Sequence, residues 1–155
     1  MKRLLYIIVL AAALMAPGEK SDIAKLQPLE LIAIHTEGDE IVIQTDTGDE
    51  GRGMDVDRAM EDLIRTTSGI VYLDTANYLL IKLGAEKYAD DMAGYLKRTV
   101  KLCQTSDDPD LEEAAEFLSV HQPNVTLSQW NSGEELPELK VIENKFILKE
   151  LEKAS

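Results

Sequence analysis

The residues with the greatest capacity for chemistry are carboxylates. In Asp46-Thr47-Gly48-Asp49-Glu50-Gly51-Arg52-Gly53, acids are interleaved with glycines, the composition of a loop that wraps a hard cation. A calcium loop of the EF-hand kind needs oxygen donors at alternate positions, a central glycine and a distal glutamate. Here the acids fall at 46, 49 and 50, so the stretch is read as a solvated turn between a strand and a helix, with a cation held by Asp46 and Asp49 as the alternative. Cys103 is the only cysteine, which excludes an intramolecular disulfide and a thiolate cluster for zinc. Its setting, Arg98-Thr99-Val100-Lys101-Leu102-Cys103, looks like the end of a strand, where a lone cysteine is a small buried hydrophobe. The two histidines, His35 and His121, are both remote from it in the chain and offer it no base.

Leu73-Asp74-Thr75-Ala76 resembles the hydrophobic-Asp-Thr-small signature of aspartic proteases, in which two aspartates share one proton. A half-size enzyme of that class is almost all β and dimeric, whereas this chain carries three helical patterns. Asp74 and Thr75 are therefore read as shaping a turn between strands, and a small hydrolase using Asp74 stands as the alternative. Gly48, Gly51 and Gly53 fit neither phosphate-binding glycine pattern, and Ser68 in Thr67-Ser68-Gly69 lacks the Gly-x-Ser-x-Gly frame of a nucleophile elbow. Glu112, Glu113 and Glu116 read as the solvated face of a helix. No residue is assigned a catalytic, cofactor-binding or metal role, and the chain is expected not to be an enzyme.

Around these groups the periodicity specifies the scaffold. Leu29 to Ile34 and Ile41 to Ile43 are apolar runs separated by Thr36-Glu37-Gly38-Asp39-Glu40, an N-terminal β-hairpin. Asp55 is placed as an N-cap before Val56, Ala59, Met60, Leu63 and Ile64, one face of a helix ended by Ser68-Gly69. Tyr78-Leu79-Leu80-Ile81 is apolar throughout, as a buried strand is. A second helix is predicted from Ala85, Tyr88, Ala89, Met92 and Leu96, and a strand from the alternation around Val100 and Leu102. Asp108-Pro109 then supplies a cap and a first-turn proline for a helix with Leu111, Ala114, Ala115 and Leu118 on one face. Trp130 is expected to pack on the body, and Val141-Ile142 with Phe146-Ile147-Leu148 to close a hairpin around Glu143-Asn144-Lys145. The sum is a single layered α/β (α+β) domain over 28–150, a mixed sheet with about three helices.

At 155 residues, 45% apolar and 29% charged, there is enough chain for one real core and too little for two domains; the 5% aromatic share makes that core aliphatic. The formal charge is −13; without Lys2 and Arg3 the 16 basic groups become 14 against 29 acids, a charge of −15. Such a field repels nucleic acid and anionic membrane surfaces. Met1-Lys2-Arg3 followed by the apolar run Leu4 to Met15 has the charge-then-hydrophobic order of a secretory signal, and twelve or so helical residues reach only about 18 Å of a hydrocarbon core of about 30 Å. Residues 1–16 are thus expected to be a signal or anchor segment and 17–27 a linker, which places the domain outside the cytoplasm with membrane contact only through that segment.

The order Ser21-Asp22-Ile23-Ala24-Lys25-Leu26, a strand at Leu31 to Ile34, a second strand, Gly51-Arg52-Gly53, a helix containing Arg58-Ala59-Met60, and Tyr78-Leu79-Leu80-Ile81 resembles the N-terminal domain of the C subunit of spore-germination nutrient receptors. The match covers roughly residues 20 to 105 and rests on periodicity. Members of that family are lipoproteins with further domains, and this sequence has no cysteine at the end of its apolar segment. The resemblance implies a stand-alone relative of one domain, a binding or structural module with a protein partner at the bacterial envelope, related to germination or sporulation.

Overall fold

A computed structural model describes residues 28–150 apart from Ser132. The expected signal or anchor segment at 1–16 and the linker at 17–27 lie outside the described residues. The hairpin forms as β1 (Leu31–Glu37) and β2 (Glu40–Thr45), longer than the apolar runs alone, joined by a two-residue turn in which Gly38 takes φ +61°. Third comes β3 (Glu50–Gly53), so the stretch read as one solvated turn is a turn at 46–49 followed by an edge strand. The sheet is completed by β4 (Tyr78–Lys82), β5 (Lys101–Thr105), β6 (Glu138–Ile142) and β7 (Lys145–Lys149).

The strand order is β3-β2-β1-β4-β5-β6-β7: β1, β4, β5 and β6 run parallel, and β2, β3 and β7 are antiparallel to their neighbours. Glu143 and Asn144 turn β6 into β7 with φ of 50° and 60°, the left-handed pair that a two-residue I′ turn requires. The fold is a mixed α/β sandwich.

Helix α1 (Val56–Thr66) starts at Asp55, whose Oδ1 accepts the Arg58 amide at 2.8 Å. Val56, Ala59, Met60 and Leu63 are buried, while Ile64, grouped with them on spacing, is 55% exposed. The predicted second helix is corrected: Glu86–Tyr88 is a 3₁₀ turn, α2 (Ala89–Met92) is a single α turn, and Gly94 bonds back only to Asp91. Its periodic residues Ala85, Ala89, Met92 and Leu96 are buried all the same, so the apolar face was legible although the backbone under it is irregular. Helix α3 (Leu111–Val120) is capped by Asp110, whose Oδ1 accepts the Glu113 amide at 3.0 Å, and not by Asp108. With Pro109 outside the helix, the cap falls two residues later.

The apolar runs of β1 and β4 follow from burial on both faces. One face, with Ile32, Ile34, Ile41, Ile43, Leu79, Ile81 and Leu102, packs with α1, α2 and the later residues Leu127, Trp130 and Leu136. The other face, with Leu31, Ala33, Tyr78, Leu80 and Cys103, packs with Ala114, Ala115 and Leu118 of α3. Cys103 therefore sits in the middle of β5, not at a strand end, fully buried, with its thiol pushed up to about 12 by burial. Among the described residues no helix is long and apolar enough to cross a membrane.

Candidate functional site

Strands β1, β2 and β3 are laid down in one direction across the sheet, after which α1 carries the chain back to place β4 on the other side of β1. In open α/β sheets the crevice at such a reversal, outside the carboxyl ends of the parallel strands, is where ligands are held, because neighbouring loops diverge there. A cavity of about 370 Å³ occupies that place in this chain. His35 and Glu37 reach it from the end of β1, Lys82 from the end of β4, Thr105 and Asp107 from the end of β5, and Asp108 from the approach to α3.

Alternation along β1 sets its polar members: Leu31 and Ala33 face α3, and the next two residues on that side, His35 and Glu37, extend past the helix. His35 Nε2 lies 3.2 Å from Glu37 Oε1, and Arg52 donates from Nη1 to Glu37 Oε2 at 2.6 Å and from Nε to Glu50 Oε1 at 2.6 Å. Gln44 donates to the other Glu50 oxygen at 2.7 Å, so one polar chain runs across β1, β2 and β3. The Arg52 guanidinium, and after it His35, hold the Glu37 carboxyl below its ordinary range. Gln44, and then Arg52, do the same for Glu50. On the opposite wall Lys82 pairs with Asp108. Asp107 accepts the Val141 amide at 2.8 Å, and its own amide donates to Thr105 Oγ1 at 3.0 Å, which ties the β5 end to β6.

The groove thus presents an imidazole, an ammonium and carboxylates around a volume suited to a small molecule. Its hydroxyl, on Thr105, is buried and engaged by the Asp107 amide. This arrangement can recognise charge of both signs and fix an orientation. No family model, curated protein or solved structure matches this chain.

The acids singled out on sequence lie elsewhere. Asp74 is exposed on the 3₁₀ turn Leu73–Thr75, before the start of β4 and so at the far end of the sheet from the groove. Thr75 is the structural member of that pair: its hydroxyl accepts the Leu29 amide at 3.1 Å and donates to the Leu29 carbonyl at 2.8 Å. Asp46 Oδ2 accepts the Glu30 amide at 3.1 Å, just before β1, and Asp49 Oδ2 accepts the Thr47 hydroxyl within its own turn at 3.1 Å. Among the described residues no group of three or more His, Cys, Asp or Glu side chains is placed to hold a metal ion. Glu112, Glu113 and Glu116 are exposed, as their spacing suggested.

His35, Glu37, Lys82 and Asp107 carry no motif and were not singled out on sequence. The available signal was positional, since each is a polar residue at the carboxyl end of an apolar strand run.

Asp46 supports a pH prediction. Its Oδ1 is buried without a hydrogen-bond partner, and burial raises its carboxyl above the ordinary aspartate value of 3.8. A raised acid costs nothing below its unfolded value, where both states are protonated, and weakens the fold as pH rises through the folded value. Asp46→Asn should therefore raise the urea midpoint at pH 7, and the gain should vanish as pH falls below about 4. Asp39→Asn removes the same charge from an exposed turn and should do less. A gain for Asp46→Asn that does not depend on pH would refute the burial argument.

Proposed function

We infer that this chain is a non-catalytic binding module of the bacterial envelope, exported from the cytoplasm, which holds a small polar ligand in the groove at the carboxyl ends of β1, β4 and β5. One observation carries the reading: the groove coincides with the chain reversal between β1 and β4, and charged groups of both signs converge there from separate strands. Lys82 and His35 suit an acidic group on the ligand, and Glu37 and Asp108 a basic one. The Lys82–Asp108 pair is solvent-exposed at Asp108 and so opens at little cost to admit a molecule bearing both charges.

The envelope setting is supported by the basic-then-apolar order of residues 1–16 and by the resemblance of residues 20–105 to the germination-receptor C subunit. A charge of −13 disfavours nucleic acid and anionic lipid, which supports a protein partner in that assembly.

The test is an amide-shift titration of the ¹⁵N-labelled full chain with millimolar glycine, glutamate and lysine. At least one should shift the amides of His35, Lys82 and Thr105 together, and Lys82→Ala should weaken that ligand at least about tenfold, the worth of one charge-assisted hydrogen bond. Silence across the set, or shifts confined to other surfaces, would overturn the assignment of the groove. Protease added to intact cells should degrade the domain; full protection would overturn the exported location.

A further inference from the structure

The sheet ends on β7, whose outer edge has no neighbouring strand among the described residues. Its residues alternate between two different surroundings. Phe146 and Leu148 turn toward α3, where Phe146 meets Phe117 at 5.5 Å between ring centroids and Phe117 stacks on His121 at 4.5 Å. Beside them runs an open groove of about 450 Å³ lined by Phe117, His121, Phe146 and Leu148, with the carboxylate of Glu150 also on its wall. On the opposite side of the strand Lys145, Ile147 and Lys149 are exposed. Cross-strand register adds Ile142 beside Lys145 and Lys140 beside Ile147. Glu138 stands opposite Lys149 and holds Lys140 at 3.3 Å, so the two isoleucines, at 48% and 41% exposure, lie between Lys145 and Lys149, the lysines on the outer strand that make no ion pair among the described residues.

We propose that the free edge of β7 docks an extended, acidic segment of a protein partner, which adds an eighth strand to the sheet. An edge strand supplies the backbone hydrogen bonds of such an addition, and the alternating side chains supply its specificity. A partner strand would place carboxylates opposite Lys145 and Lys149, a small side chain over Ile147, and apolar side chains over Phe146 and Leu148 into the groove. The same register argues against a second copy of β7 as the occupant. Centred on Ile147, antiparallel self-pairing sets Lys145 of each copy opposite Lys149 of the other, and like charges directly opposite destabilise a strand pair.

The probe is the peptide acetyl-Ser-Glu-Val-Thr-Val-Glu-Ser-amide, whose symmetrical pattern serves either strand direction. Added to the ¹⁵N-labelled full chain, it should shift the amides of residues 145 to 149 and those around Phe117 and His121, and should slow hydrogen exchange along β7. The counterpart with lysine in place of both glutamates should bind about tenfold more weakly, since two exposed pairs become two repulsions. The double variant Lys145→Glu with Lys149→Glu changes only exposed side chains and should reverse the preference. No shift in β7 at millimolar peptide would overturn the proposal, as would an unchanged preference in the double variant. Shifts of the same residues on phosphatidylglycerol vesicles but not on the peptide would assign the edge to a lipid surface and overturn it equally.

Discussion

Gly51→Ala should cost about 3 kcal/mol, the upper end of what overpacking exacts. A Cβ at Gly51 would lie 2.2 Å from the Ala59 carbonyl oxygen and 2.4 Å from the Leu63 amide nitrogen, both backbone atoms of α1 that no rotamer change can move. Gly53 repeats the arrangement one pleat along, with a Cβ 2.4 Å from the Ala59 nitrogen. Two glycines on the same side of β3 therefore seat α1 against the sheet by its main chain. Adding a methyl must lift the helix or peel the edge strand, and either opens the cluster around Met60 and Leu63. Because one displacement accommodates both methyl groups, the double variant with Gly53→Ala should cost clearly less than the sum of the single changes. Gly94→Ala is the control: its Cβ would meet only the Asp91 carbonyl, at 3.5 Å, so the change should be neutral or stabilise by up to about 0.5 kcal/mol. Urea midpoints decide it. Equal effects at positions 51 and 94 would mean that α1 does not rest on β3 in this way.

That seating also explains how the groove keeps its charge pattern. Arg52 lies between the two glycines and points to the opposite side of β3, where it holds Glu37 and Glu50. Displacing β3 would withdraw the guanidinium that depresses the Glu37 carboxyl, so a packing change on one face of the sheet reaches the polar network on the other.

The same residues mark the boundary of what could be read from the amino-acid order. Strands β1 and β4 announced themselves as apolar runs because both of their faces are covered. Helix α1 was legible through Asp55 and the spacing of its buried residues. Strand β3 was not, because Glu50-Gly51-Arg52-Gly53 has the composition of a loop. The glycines at positions 51 and 53 signalled a close helix above a pleated strand, a relation between elements that propensity does not carry. The cap read at Asp108 falls instead at Asp110, with Pro109 outside the helix. The groove escaped for a related reason. His35 and Glu37 lie on β1, Lys82 on β4 and Asp107 just past the end of β5, and they converge only once the order β1-β4-β5 and its parallel register are known. The acids that local composition favoured, Asp46, Asp49 and Asp74, sit in or beside turns away from that groove, Asp46 bonding the Glu30 amide and Asp49 the Thr47 hydroxyl.

Trp130→Ala should cost about 3–5 kcal/mol, the range for removing a large buried aromatic. Trp130 is the only tryptophan, buried on the α1 and α2 side of the sheet with Leu127 and Leu136, and its Nε1 donates to the Glu134 carbonyl at 3.1 Å. It lies in the connection from α3 to β6, which is irregular apart from one bridge between Thr126 and Lys101. Its first part is tied to residues 98–102 by backbone hydrogen bonds, the Leu102 amide donating to the Val125 carbonyl, Leu127 to Val100 and Ser128 to Arg98, and Trp130 anchors the stretch that follows. The hairpin beyond it depends on that anchor, because β6 is registered to β5 only at Gln104 and Glu138, helped by the Gln104 amide bonding the Pro137 carbonyl at 2.8 Å and by Asp107 receiving the Val141 amide. Loss of the indole should therefore loosen β6 and β7 before it melts the β1–β4 core, and amide exchange should accelerate first at residues 138 to 149. Trp130→Phe keeps most of the apolar volume and loses the donor to Glu134, so it should cost about 1 kcal/mol and leave the exchange pattern intact. Both variants lack the fluorophore, and far-UV circular dichroism in urea supplies the midpoints. If Trp130→Ala accelerated exchange evenly across the sheet, the hairpin would be held by contacts other than this anchor, and the order of loosening derived from a single β5–β6 register pair would be wrong.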